Sequence, residues 1–326
     1  MNLTTTYLGM TLPHPLIVGA AGALTDDLDL VKQLEDAGAA ALVLRSLYEE
    51  EITGEQMYSY FHSDGHSGSS AEAETYFPDP LLALGPDEYL EHLQRVKAAV
   101  SIPVIASLNG MTTGGWTTYA RLLEQAGANA IELNLYHSAS DAALSAADVE
   151  GQMIQIVRDV KRKVSIPVAT KLSTRFTACA NFAIQLDQAG VDGFVLFHRL
   201  HNVDIDVLEY DILRSLSLSD SSHLQIGLRG VAVLSGRVNA SLAITGGVHT
   251  ALDVIKATMT GAHACQLVSA LITKGAGHIG TLLDGVNEWM TENDWASLEE
   301  MRGNMSFHRV PDPGAYERDA FRRMFR

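Results

Sequence analysis

The sequence predicts an α/β chain folded as a (β/α)8 TIM barrel, a single domain over residues 1–326, with insertions after the second and sixth strands. Three observations carry that expectation. Short aliphatic runs alternate with amphipathic stretches eight times over. The runs are apolar at successive positions, as strands are when helices cover both faces of a parallel sheet. The same punctuation recurs, with "AG" closing helical stretches and "IPV" opening strands. At 326 residues and 47% hydrophobic content, the chain has the material for such a core. A doubly wound open sheet is the competing arrangement. The lack of a Gly-x-Gly-x-x-Gly after the first strand counts against its dinucleotide-binding form.

The elements follow in order. "PLIVGAAG" (Pro15–Gly22) reads as a strand running into small residues. "DDLDLVKQLEDAG" (Asp26–Gly38) reads as a helix, with acids in its first turn and glycine as its stop. "AALVLRS" (Ala40–Ser46) is the second strand, "IPVIASL" the third, "AIELNL" the fourth and "IPVATKLS" the fifth. "GFVLFH", "LAITGG" and "ACQLVSAL" complete the set. Residues 47–86 are polar and rich in glycine and serine, and are expected to form a mobile lid. Residues 199–238 read as an insertion with one helical stretch, "LRGVAVLSGRV" suggesting a short hairpin. Residues 302–326 read as an arginine-rich exposed tail resting on an acidic body.

Composition removes several function classes. A formal charge of −16 leaves no basic face for nucleic acid. Two cysteines, Cys179 and Cys265, without a C-x-x-C cannot by themselves hold an iron–sulfur cluster or a four-cysteine zinc. No metal site is expected, and His198 with His201 has no evident third ligand. With no signal-like start and no apolar stretch of about 20 residues, a cytoplasmic protein without a membrane partner is expected.

Barrel chemistry sits at the C-terminal ends of the strands. Those ends offer Ala20, Ala21 and Gly22; Arg45 and Ser46; Asn109; Asn134 and, just beyond, Tyr136 and His137; Lys171; His198; Gly246 and Gly247; and Ser269. Small residues at the first, seventh and eighth strands leave room for a flat group and let backbone approach it. "TGGVHT" leads straight into a helix, so its N–H groups and the helix dipole make an anion site. An ordinary strand-to-helix turn would look the same. Arg45 and Lys171 are cations on apolar strands and need an anion. That anion is either a ligand or a core carboxylate such as Glu132. Asn109 and Asn134 can hydrogen-bond a heteroaromatic edge or cap loops.

Taken together and in this order, the motifs resemble the dihydroorotate dehydrogenase family, FMN-containing barrels, over almost the whole chain. "TTYLGMTLPHPLIVGAAG" is similar to the family's opening, "LRSL" to its Lys-Ser strand end, and "IELNLY" to the Glu-Leu-Asn that precedes its catalytic segment. "TKLS", "ITGGV" and "QLVSAL" resemble the flavin-lysine, phosphate and last-strand motifs. "MRGNMSFHRVPDPGAYER" resembles the tail of the bacterial dihydroorotate dehydrogenase-like branch.

The resemblance implies an FMN oxidoreductase acting on a CH–CH bond of a small polar substrate, dihydroorotate or a related dihydropyrimidine, as in pyrimidine biosynthesis. It also implies that Asn109, Asn134 and Lys171 contact the flavin ring, that Ala20, Ala21 and Gly22 line it, and that Gly246, Gly247 and Ser269 hold its phosphate. Ser46 and His198 complete the expected cofactor-binding set; Arg45, Lys171 and His137 form the catalytic set. Three departures stand out. His137 occupies the place of the family's cysteine or serine base, Arg45 that of a lysine, and His198 that of an asparagine. A homodimer and a soluble electron acceptor are expected. The alternatives are a flavin-binding accessory subunit and a phosphate-binding isomerase or aldolase.

Overall fold

The computed structural model describes residues 1–49, 51–52, 86–110, 116–135, 141–198, 204–213, 217–317 and 322–323. Two strands, β1 (Thr5–Tyr7) and β2 (Met10–Leu12), form an N-terminal antiparallel hairpin. Eight parallel strands then close a barrel: β3 (Leu16–Val18), β4 (Leu42–Tyr48), β5 (Val104–Asn109), β6 (Ala130–Asn134), β7 (Val168–Leu172), β8 (Gly193–Leu196), β11 (Ser241–Thr245) and β12 (Ala264–Leu267). A second hairpin, β9 (Asp204–Asp206) with β10 (Asp211–Leu213), follows β8. The expected (β/α)8 architecture is present, with every expected strand in place.

The helices between barrel strands are α1 (Gly22–Thr25), α2 (Leu28–Asp36), α3 (Pro86–Ala99), α4 (Trp116–Gln125), α5 (Ala146–Lys161), α6 (Cys179–Gln188), α7 (Leu224–Leu234) and α8 (Ala251–Thr260). After β12 come α9 (Ser269–Lys274), α10 (His278–Glu292) and α11 (Leu298–Met301). Local chemistry sets their ends. Asp27 caps α2 through the Asp29 N–H at 2.8 Å, and Ser145–Asp148 and Thr250–Asp253 form capping boxes on α5 and α8. The "AG" stops work through backbone conformation: Gly38 and Gly190 take φ of +94° and +99°, which glycine adopts without a Cβ clash.

The "SIP" strand openings have a partner on an earlier helix. Glu35 Oε1, at the end of α2, accepts from Ser101 N (2.7 Å) and Ile102 N (3.2 Å). Glu124 Oε1, at the end of α4, accepts from Ser165 N (2.8 Å) and Ile166 N (3.2 Å) in the same way. Hydrogen bonds from Ser165 hold the Glu124 carboxyl below its ordinary range. Each acid ties its helix to the loop before a strand two places on.

Two apolar clusters result. The larger packs helices on the outside of the barrel. The smaller fills the N-terminal half of its interior: Tyr7, Leu8 and Leu12 from the hairpin meet Ile17, Val43, Ile105, Ala130, Ala169, Val195, Ala243 and Ala264. The inward alanines make the room that Tyr7 and Leu8 occupy.

The structure corrects two local expectations. "LRGVAVL" belongs to α7, where Leu224, Val231 and Leu234 are buried at helical spacing; the hairpin of that insertion lies earlier, in β9 and β10. Ser269 opens α9 rather than ending the eighth strand. The segment after Met301 rests on the body up to Glu317: Met305 N donates to Met259 O at 2.8 Å, Phe307 N to Ala232 O at 3.0 Å, and Arg302 Nη2 to Thr5 Oγ1 at 2.8 Å. Most of the expected lid, residues 53–85, lies outside the described residues.

Candidate active site

Alternation along each strand decides what enters the barrel. On β6 the inward residues are Ala130, Glu132 and Asn134, rising from the plugged half to the open mouth; on β7 they are Ala169 and Lys171. Contacts across the lumen confirm the direction. Lys171 Nζ lies 3.0 Å from Glu132 Oε1 and 3.2 Å from Gln266 Oε1, and Gln266 Nε2 donates to Glu132 Oε2 at 2.5 Å. Gln266 is on β12, on the far wall from β6. All three are buried, Glu132 to 1% exposure. Two charges so far from water persist because each is paired and hydrogen-bonded. Beneath them, burial and the Glu132 charge push the Tyr7 phenol well above its ordinary pKa, so it stays neutral.

On β4 a register shift between Val43 and Ser46 inserts an extra residue against β5. This bulge lets consecutive residues, Arg45 and Ser46, both reach the mouth. Ser46 Oγ and Ser107 Oγ lie 2.7 Å apart. The Arg45 guanidinium sits 3.3 Å from Glu51 Oε1 and 3.5 Å from Asp26 Oδ1, donates to Ser46 O at 3.2 Å, and lies 5.5 Å from the centre of the Tyr89 ring.

A cavity of about 230 Å³ opens here, lined by Ala20, Ala21, Gly22, Arg45, Ser46, Tyr48, Asn134, Lys171 and His198. Seven expected cofactor-binding residues, from five strand ends, thus share one wall with the expected cation Arg45. Burial and the nearby Lys171 charge push His198 down to about 4, so its imidazole is neutral at cellular pH. Asn134 Oδ1 is buried with no hydrogen-bond partner among the described residues. Asn109 is buried beside Asn134 in register, outside the cavity lining.

Gly246, Gly247 and Ser269 come together at a separate part of the same rim. Gly247 N donates to Ser219 Oγ at 3.2 Å, and Ser219 N donates to Ser269 Oγ at 3.0 Å. Gly247 has φ of +85°, and a Cβ there would fall 2.3 Å from Leu224 N, so only glycine lets this turn rest on the first turn of α7. Gly246 faces open space, with nothing within 4 Å of where its Cβ would be.

His137 lies outside the described residues. Sequence reasoning missed Gln266, Ser219 and Tyr48. Gln266 carried a usable signal, a polar residue at an inward position of an apolar strand, as Glu132 does in "AIELN". Ser219 carried none, because only the fold brings its loop to Gly247. Lys171 joins both sequence readings, since it pairs with Glu132 and also lines the cavity.

The geometry agrees with comparisons to known proteins. A family model described as dihydroorotate dehydrogenase matches residues 2–290. The chain is 25% identical to the catalytic subunit of dihydroorotate dehydrogenase B (NAD(+)) of Thermoplasma acidophilum, covering 93% of this chain and 98% of that protein. It is 28% identical to an Aeropyrum pernix protein provisionally described as dihydroorotate dehydrogenase A (fumarate), covering 93% and 97%. The B-type catalytic subunit of Methanocella arvoryzae is 26% identical over 93% and 97%. A barrel whose strand ends converge in the expected order, matched by that family over nearly all its length, belongs to the dihydroorotate dehydrogenase family of FMN-dependent oxidoreductases.

Proposed function

We propose that this chain binds FMN at the barrel mouth and oxidises a CH–CH bond of dihydroorotate or a related dihydropyrimidine, passing the electrons to a soluble acceptor. One observation carries the reading: Ala20–Gly22, Ser46, Asn134, Lys171 and His198 line one cavity, and the Gly246–Gly247 turn shares its rim. The residues fit the group. Ala20, Ala21 and Gly22 leave room for a planar ring. Asn134 Oδ1 offers an unused acceptor, suited to a ring N–H. Lys171 supplies fixed positive charge beside the ring, where reduction would place negative charge. Gly246 gives a phosphate open space, and Ser219 and Ser269, whose oxygens accept from Gly247 N and Ser219 N, keep hydroxyl protons to donate to it beside the first turn of α7.

When bound, FMN supplies the acceptor for a hydride from one substrate carbon. The neighbouring carbon loses a proton, which we assign to His137, whose imidazole has a suitable ordinary pKa near ~6.5. Arg45 and Ser46 would stand at the substrate end of the cavity. Among the described residues no helix is long and apolar enough to cross a membrane. Relatives are named for NAD(+) and for fumarate as acceptors, both small and water-soluble.

The test is the visible spectrum of the purified protein, then anaerobic addition of dihydropyrimidines. A yellow protein that bleaches supports the proposal. A colourless protein that takes up no added FMN defeats it. His137→Ala should slow bleaching by a factor on the order of 10² to 10⁴; a loss of a few-fold would remove it as the base.

A further inference from the structure

We infer that the substrate end of this site selects an uncharged dihydropyrimidine, a cyclic amide with no carboxylate, over dihydroorotate. The inference rests on the flavin reading above and specifies its substrate class. It follows from the charge balance around the cavity.

Among the described lining residues, the cations are Arg45 and Lys171. Either cation could balance a substrate carboxylate only so far as its own chain leaves it available. Lys171 is held by Glu132 at 3.0 Å and by Gln266 at 3.2 Å, and its remaining donor capacity belongs to the flavin in the proposed arrangement. Arg45 lies between two carboxylates of its own chain, Glu51 at 3.3 Å and Asp26 at 3.5 Å, and donates to the Ser46 carbonyl. Among the described residues, these two lining cations thus meet three carboxylates that stand behind the cavity wall, Glu132, Glu51 and Asp26. His198 adds no charge near neutral pH, because burial and Lys171 keep it neutral. An incoming carboxylate would add a fourth negative charge against two cations among the described residues, partly shielded from water.

The uncharged groups suit a cyclic amide. Ser46, its hydroxyl paired with that of the buried Ser107 behind it, lines the mouth, and Asn134 and Tyr48 offer further amide and phenol contacts. Hydroxyls and amides can both donate and accept, which matches the alternating N–H and C=O of a dihydropyrimidine ring. The bond to be oxidised is the same in both compounds: one hydrogen leaves with its electron pair to the flavin, the other as a proton. Selection therefore acts on the substituent rather than on the chemistry.

The experiment uses the FMN-loaded full chain. Calorimetric titration compares the oxidised products uracil and orotate as probes, and anaerobic mixing compares bleaching by 5,6-dihydrouracil and dihydroorotate. Uracil should bind tighter than orotate, and 5,6-dihydrouracil should bleach faster than dihydroorotate, each by a factor on the order of ten or more. Equal or stronger binding and bleaching with the carboxylated pair overturns the inference and leaves the proposed function standing. Bleaching by neither compound, in a protein that dithionite does bleach, overturns both. A second variant guards the argument: Asp26→Asn with Glu51→Gln releases Arg45 and should raise the orotate-to-uracil affinity ratio by a factor on the order of ten. An unchanged ratio in a folded, yellow variant also counts against the inference.

Discussion

The two halves of the barrel interior are built from the same strands to opposite ends. Toward the N-terminal mouth, β6 and β7 turn Ala130 and Ala169 inward, and the β1–β2 hairpin drives Tyr7 and Leu8 into the space. Two residues further along, the same strands turn Glu132 and Lys171 inward, and two further Asn134. The lower half is apolar and closed. The upper half is charged, hydrogen-bonded and open. Burying apolar surface stabilises the fold at roughly 25 cal/mol per Å². A buried ion pair contributes little net stability, since desolvation offsets most of its attraction. The closed half therefore contributes the larger share of the barrel's stability, and the open half holds its charges in internal pairs.

Breaking the upper half should have the largest effect. Glu132→Leu leaves Lys171 buried beside only Gln266 and should cost about 3–5 kcal/mol of unfolding free energy in urea titration. Adding Lys171→Met should recover most of that loss, because a packed apolar pair replaces the ions, yet FMN should not be retained. Recovery of both stability and flavin would show that the pair is structural. In the lower half, a Cβ at Gly193 would sit 2.5 Å from Leu8 Cδ2. Gly193→Ala should therefore destabilise by about 1–3 kcal/mol through overpacking and leave flavin content unchanged.

A smaller effect comes from His198. Its folded pKa of about 4 lies below its ordinary 6.5, so the unfolded chain binds more protons between those values. The stability this group contributes is complete above pH ~6.5 and is lost as pH falls toward ~4. His198→Asn should flatten that part of the stability profile, although His263, also held near 4 by burial and Arg302, will keep some slope. The smallest effect belongs to Gly246→Ala. The new methyl meets nothing, and the φ of +82° alone should cost about 1–2 kcal/mol in thermal unfolding.

Much of this was legible along the chain. Eight apolar runs and their glycine stops announced the barrel, because helix and strand periods are local properties. The strand-end residues could be named in advance, because a parallel barrel puts every strand's C-terminal end on one rim. The hairpin expected at "LRGVAVLSGRV" failed because a strongly apolar stretch suits either period, and packing of Leu224, Val231 and Leu234 against the barrel decided for helix. Where the segment after Met301 rests was not legible, because its anchors, Met259 O and Ala232 O, are backbone atoms far away in the chain.

By itself, then, the sequence determined the architecture, the rim on which chemistry would gather, and the residue types available there. Tertiary structure alone decided how those residues are used. It set Gln266 across the lumen from Glu132, brought Ser219 to Gly247, and closed Asp26 and Glu51 around Arg45. Periodicity is written into neighbouring residues, whereas charge compensation depends on which distant side chains the closed cylinder brings within hydrogen-bonding reach.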